Sequence, residues 1–377
     1  MTDTTSTEPT AGAPPAVGNI VDTSTPGSGR TRAIKLAVGA VAAAIALAIP
    51  YNYEPEMNKV FSQAIFLAVA AMGLNLLTGY NGQVSIGHGA FFGIGAFTSA
   101  ILIIDHGWNF EATIPVAAVL AGLVGVLVGF PALRVRGLYL ALITLGLAVL
   151  FPRVAAKYVD GAGGVALLRP KRSEFSSPFP GLDLAPDQYQ YFVCLFVAIL
   201  MFVLARNLIH SRIGRAMIAV RDQEMAAATV GVNLSAVKVG TFALSAAYAG
   251  VAGSLSVMVN KVADATSPIT YFQLSIEFLV AVVIGGSATI FGPAIGALVL
   301  TFLRRYTDGA IEDKEILSPA ILGAALIAIV FVLPNGIVGG LRQISTRITR
   351  RRAAPGGSPG PAAGAAEAGP APDPTAT

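Results

Sequence analysis

Asn81, Gln83, Ser85 and His88 fall within one glycine-rich segment, GYNGQVSIGHGAFFGIG from Gly79 to Gly95, set between two apolar runs. Amides, a hydroxyl and an imidazole at this spacing can exchange hydrogen bonds with a polar solute or carry a proton. Backbone at membrane depth must be hydrogen-bonded internally, so a broken helix survives there only inside protein or beside an aqueous cavity. Glycine-interrupted apolar segments also point to a transporter's substrate path. Gly79, Asn81, Gly82, Gln83, Ser85 and His88 are therefore candidates for lining a path. The plainer reading is a tight loop whose glycines let helices pack closely, with His88 as a satisfied packing residue.

A second interruption has the same texture. The run EFLVAVVIG from Glu277 breaks at Gly285 and Gly286 and resumes after Pro293. Glu277 lies inside the apolar run, and an intramembrane carboxylate is a functional candidate by default. The alternative is a carboxylate near the interface, paired with a basic residue of a neighbouring helix.

The third segment runs from Arg206 to Lys238 and is basic early. From Ile213 its periodicity predicts a short amphipathic helix, with Ile213, Met217 and Val220 on one face and Ala227 and Val230 nearby. Gly231 and Asn233 supply a stop, and Asn233 or Ser235 can cap the next helix. Such a helix either lies on lipid or docks into a partner's groove. Its acids, Asp222 and Glu224, and its compact alanines favour the groove.

Chemistry of other kinds lacks material. No Gly-x-x-x-x-Gly-Lys-Ser/Thr phosphate loop is present, so the chain has no Walker-type ATP site. No nucleophile elbow or His-Glu-x-x-His helix occurs either. Three histidines and one cysteine offer little for a metal site or a disulfide. Neither catalytic nor metal-ligating residues are expected, and no cofactor.

The elements that position these segments follow from composition. Of the 377 residues 54% are hydrophobic and 12% charged, about half the charged share that wets a soluble globule. The net charge of +4 comes with no basic stripe interleaved with aromatics, which argues against nucleic acid. The chain reads as an all-α polytopic membrane protein of about ten transmembrane helices, some discontinuous, since about 20 apolar residues cross a bilayer. The expected spans are 33–49, 58–78, 88–104, 113–130, 137–152, 189–208, 237–258, 269–285, 288–304 and 317–333. Pro50, Pro131 and Pro334 stand where three of these runs stop. Most Lys and Arg residues fall on one side if both termini are cytoplasmic, which sets the orientation. Residues 1–29 and 343–377 are Pro/Gly/Ala/Ser/Thr-rich or basic tails expected to be disordered. The permease domain is 30–342, with its cytoplasmic helix within 213–233.

Together these segments resemble the LivM-type permease subunits of branched-chain amino acid ABC importers. The resemblance rests on GLNLLTGYNGQVSIGHGAFFGIGAFTSAIL at 73–102, LRVRGLYLALITLGLA at 133–148, and IGRAMIAVRDQEMAAATVGVNLSAVKVGTFALSAAYAGVAGSL at 213–255. It continues through VVIGGSATIFGPAIGALVL at 282–300 and PNGIVGG at 334–340. It implies a multi-pass protein of the inner (plasma) membrane, in the lipid bilayer beside a LivH-like second permease. It further implies two ATPase subunits that bind ATP and magnesium, and an extracytoplasmic substrate-binding protein. By the same carry-over 213–233 looks like the coupling loop that docks into the ATPase, with Arg215, Arg221, Glu224, Ala226, Ala227 and Gly231 as its candidate residues. Where the family pattern has Glu-Ala-Ala, this chain has Met225-Ala226-Ala227, with Glu224 one place early. Urea or amides are alternative substrates. A rival of another class is an ion-coupled carrier using Glu277 and His88 as proton relays.

Overall fold

Helices dominate because a chain this apolar satisfies its backbone groups most simply within each segment. The computed structural model describes residues 44–133, 137–159, 167–168, 184–265 and 269–310, with isolated positions at 37, 41, 323, 324, 327, 331 and 336–340. Both expected tails and most of the expected spans 33–49 and 317–333 lie outside the described residues. Residues 44–52 are helical (α1) and belong to a separate unit, Met1–Asn52.

The second unit begins with α2 (Pro55–Asn75), which passes into a π-helical turn, Leu76–Tyr80. There follow α3 (His88–His106), α4 (Phe110–Ala132), α5 (Leu138–Tyr158) and α6 (Pro186–His210). Two short helices, α7 (Arg212–Asp222) and α8 (Glu224–Thr229), precede α9 (Leu234–Asn260). Then come α10 (Thr270–Gly285) and α11 (Gly292–Ala310). The sole sheet among the described residues pairs β1 (Leu167–Leu168) antiparallel with β2 (Ala263–Asp264).

Six of these helices, α2 with its π turn, α3, α4, α5, α6 and α9, are long and apolar enough to cross a membrane. The reading of about ten therefore stands as six among the described residues; α10, at 16 residues, is shorter than a full span. The proline punctuation also needs correcting. α1 continues past Pro50 to residue 52, and α5 runs through Pro152 to Tyr158. A proline costs one backbone bond and some crowding against the preceding turn, and the surrounding helix carries both.

The bundle has a centre and a periphery. In α2 and α9, 83% of the apolar window is buried, against 28% in α4 and 33% in α5 and α6. α9 packs against α2, α3 and α4, while α4–α6 turn residues such as Leu127 and Phe196 outward. An apolar outer face of this extent fits lipid or a partner chain rather than water.

Small residues make the centre tight. A Cβ at Gly95 would strike the backbone of Gly250, and one at Gly253 would strike the carbonyl of Phe92. α3 and α9 thus meet backbone to backbone, the close approach that glycine permits between membrane helices.

Candidate functional site

α2 loses its regular ladder at the π turn, and the chain then runs without regular structure from Asn81 to Gly87. Gly82 carries φ of 73°, a left-handed conformation that glycine enters without a Cβ penalty. Asn81, Gln83, Ser85 and His88 are all buried, Ser85 and His88 completely. The expected interruption is present and folded inward.

His88 is held at both nitrogens. Its Nδ1 lies 3.0 Å from the Ser85 hydroxyl, and its Nε2 lies 2.5 Å from the Ser245 hydroxyl on α9. Ser245 in turn donates to the Gly73 carbonyl at 2.5 Å. A hydroxyl has one proton to give, so Ser245 accepts from Nε2–H, and Nδ1 accepts from Ser85. The imidazole is thereby a neutral cross-brace joining α3, α9 and α2.

The second interruption closes against the first. Gly286 ends α10 at φ 108°, and Ala288 adopts φ 56° within the turn to α11. Asn75, fully buried one turn before Gly79, spans this turn: its Nδ2 donates to the Thr289 carbonyl at 2.8 Å, and its Oδ1 accepts from the Ala288 amide at 2.9 Å. A Cβ on Gly79 would press on the Asn75 amide and on Ala288, whose nitrogen would lie 2.6 Å away. A Cβ on Gly285 would meet the carbonyl of Gly292. The two glycine breaks, some 200 residues apart in sequence, therefore share one buried contact.

The short helices reach this contact directly. Ser211 caps α7 by accepting from the Ile213 and Gly214 amides, and Asn233 caps α9 by accepting from Ala236. Met217 and Val220 pack inward, whereas Ile213 and Val230 are exposed, against the shared face expected for them. A break at Gln223, extended at φ −151°, splits the expected single helix into α7 and α8 and carries Val230 off that face, while Ile213 is exposed in the first turn of α7. Arg221, at the end of α7, donates from Nη1 to the Gly79 carbonyl at 2.8 Å and pairs with Asp222 at 2.8 Å. Glu224 pairs with Lys238 at 2.6 Å, and the Lys238 carbonyl accepts from Gln83 at 3.2 Å. Ala227 is buried, and Ala226 and Gly231 are exposed, the latter turning the chain at φ 86°. Arg215 reaches back to the His210 carbonyl at 3.3 Å and takes no part in the break.

Glu277 stands apart from this cluster. It pairs with Arg304 of α11 at 2.7 Å, which is the basic neighbour the alternative reading required. Among the described residues no group of His, Cys, Asp or Glu is arranged to hold a metal ion.

Sequence reasoning missed Asn75, Ser245 and Arg304. Asn75 left a trace, as an amide within an otherwise apolar run. Ser245 and Arg304 left none, since their partners lie far off in the chain.

Buried polar side chains converging on two broken helices, inside a bundle with an apolar exterior, fit a multi-pass membrane protein of the permease class. A family model for the permease component of branched-chain amino acid transport systems matches residues 57–330, and the chain belongs to that family. It is 29% identical over 316 residues to the high-affinity branched-chain amino acid transport system permease protein LivM of Escherichia coli K12, covering 78% of this chain and 72% of the relative. It is 26% identical over 290 residues to LivH of the same organism, covering 72% and 91%. With the Pseudomonas aeruginosa permease BraD it shares 24% identity over 303 residues, covering 77% and 96%. No solved structure matches.

Proposed function

We propose that the chain is the permease subunit of an ATP-binding-cassette importer that moves branched-chain amino acids into the cell by alternating access. A LivH-like permease completes the path, and two ATPases bind ATP and magnesium. An extracytoplasmic binding protein delivers the substrate. The ends of the chain and helices α7–α8 face the cytoplasm. There α8 and the Val230 that follows it offer exposed Met225, Ala226 and Val230 to an ATPase groove, in the manner of an amphipathic helix docking on a protein.

The observation that carries this reading is the bond from Arg221 to the Gly79 carbonyl. Movement of α7 by the ATPases is transmitted to the π turn, and through Asn75 to the Gly286–Thr289 turn. Asn81 supports a moving role for the break: its side chain is buried, yet neither amide atom has a hydrogen-bond partner among the described residues. A buried amide left unpaired costs on the order of 1–3 kcal/mol. A second conformation that pairs it recovers that cost. The ion-coupled rival has less support, because both nitrogens of His88 are committed to serines.

Purification of the tagged chain in mild detergent, with mass spectrometry of what stays bound, tests the assembly. A second permease and two phosphate-loop ATPases in near-equal amounts are expected. A chain that comes out alone and transports after reconstitution without ATP would overturn it.

A further inference from the structure

Well before its π turn, α2 borders a pocket of about 700 Å³ shared with α10, α11 and the end of α9. Phe66, Leu67, Leu274 and Leu300 supply apolar wall, and Glu277, Arg304 and Arg305 supply charge. Gln63 donates to the Asn260 side chain at 3.0 Å across one edge. A volume of this size is ordinary for a small-molecule site, in which an apolar lining carries a few placed polar groups.

We propose that this pocket is a staging site for a zwitterionic α-amino acid, with Glu277 receiving its ammonium, Arg304 its carboxylate, and the leucine-lined wall its branched side chain. The inference rests on the import reading above and adds to it where the substrate is held within this chain.

Charged residues within membrane segments are rare and tend to mark substrate pathways. Glu277 and Arg304 sit on α10 and α11 with their side chains 26% and 57% exposed, so both remain within reach of a solute. Parting Glu277 from Arg304 leaves each charge without its partner, a penalty that partial exposure to solvent reduces. An amino acid avoids that penalty, because inserting ammonium toward Glu277 and carboxylate toward Arg304 replaces one ion pair by two, with charges still alternating. A neutral solute or a simple ion cannot do so. The pocket therefore selects for the charge pattern that amino acids share, and its apolar wall favours an aliphatic side chain.

The test uses the assembled complex in proteoliposomes, with ATP, the binding protein and radiolabelled L-leucine. Glu277→Gln and Arg304→Gln should each lower uptake per assembled complex at least tenfold while ATP hydrolysis persists. The reversed pair, Glu277→Arg with Arg304→Glu, should stay equally low, since the exchanged charges no longer sit in the same surroundings. Recovery of wild-type uptake by the reversed pair would show a structural brace and overturn the proposal. So would wild-type uptake by either single variant. Thr301→Trp, which fills pocket volume and leaves both charges in the chain, should lower uptake at least fivefold, and decides the matter if the charge variants fail to assemble. Wild-type uptake by Thr301→Trp would also overturn the site. Absence of ATP-driven uptake by the unmodified complex would instead overturn the import reading on which the site rests.

Discussion

Arg221 closes over Gly82 as it donates to the Gly79 carbonyl: a Cβ on Gly82 would lie 2.8 Å from the Arg221 Cγ. The arginine at the end of α7 thus fills the space that a side chain at Gly82 would need. Gly82→Leu adds this clash to a positive φ of 73°, which costs a non-glycine residue about 1–2 kcal/mol. Leucine uptake by the assembled complex is expected to fall about tenfold or more, with the amount of complex unchanged. Uptake at the wild-type rate would reduce the break to a packing feature.

Asn75 gives a stability prediction. Asn75→Leu leaves the Ala288 amide and the Thr289 carbonyl without their partner, at about 1–3 kcal/mol for each group left buried and unpaired. Thr78→Val is the control, because its hydroxyl bonds only within its own helix, to Leu74. Thermal unfolding in detergent, followed by size-exclusion chromatography, should show a clear drop in midpoint for Asn75→Leu and little change for Thr78→Val. Equal midpoints would remove the bridge from the fold's essential contacts.

His88 separates a brace from a proton relay. Glutamine retains a donor and an acceptor toward Ser245 and Ser85, whereas leucine offers neither. His88→Gln should keep a substantial part of ATP-driven uptake, and His88→Leu should lose both uptake and assembled protein. Collapse of a protonophore-sensitive uptake in His88→Gln, with assembly intact, would favour the relay instead.

The central glycines make a packing prediction. Gly95→Val drives its Cβ into the Gly250 backbone, while a Cβ at Gly146 on α5 meets nothing within 4 Å. Overpacking of a tight core typically costs about 1–3 kcal/mol, and here backbone must move as well. Membrane yield of Gly95→Val is expected to collapse, and that of Gly146→Val to match wild type. Comparable yields would mean that α3 and α9 separate more easily than their contact implies.

Six spans were legible in the sequence because a membrane helix signals itself by local composition. The observed α3, His88–His106, lies within two residues of the expected 88–104, and α9 extends the expected 237–258 by a turn. The two glycine breaks were legible for the same local reason. Their meeting through Asn75 was not, because nothing in a single sequence records that residue 75 touches residue 288. The α7–α8 split escaped notice too. Gln223 is no helix breaker, and its extended backbone follows from where α7 and α8 must pack rather than from its own propensity. Glu277 was legible as a carboxylate in an apolar run, but its partner Arg304 lies on the next helix and depends on how α10 and α11 close at Gly285 and Gly292.

The most direct test of coupling is the ratio of leucine transported to ATP hydrolysed by the reconstituted complex, measured for the wild type and for Arg221→Ala. Arg221→Ala removes the bond to the Gly79 carbonyl and leaves the sequence of α8, with its exposed Met225, unchanged. Hydrolysis should continue while uptake falls, lowering the ratio about tenfold or more, in keeping with the roughly 1.5–3 kcal/mol of a charged hydrogen bond. A ratio equal to wild type would contradict transmission from α7 to the membrane break.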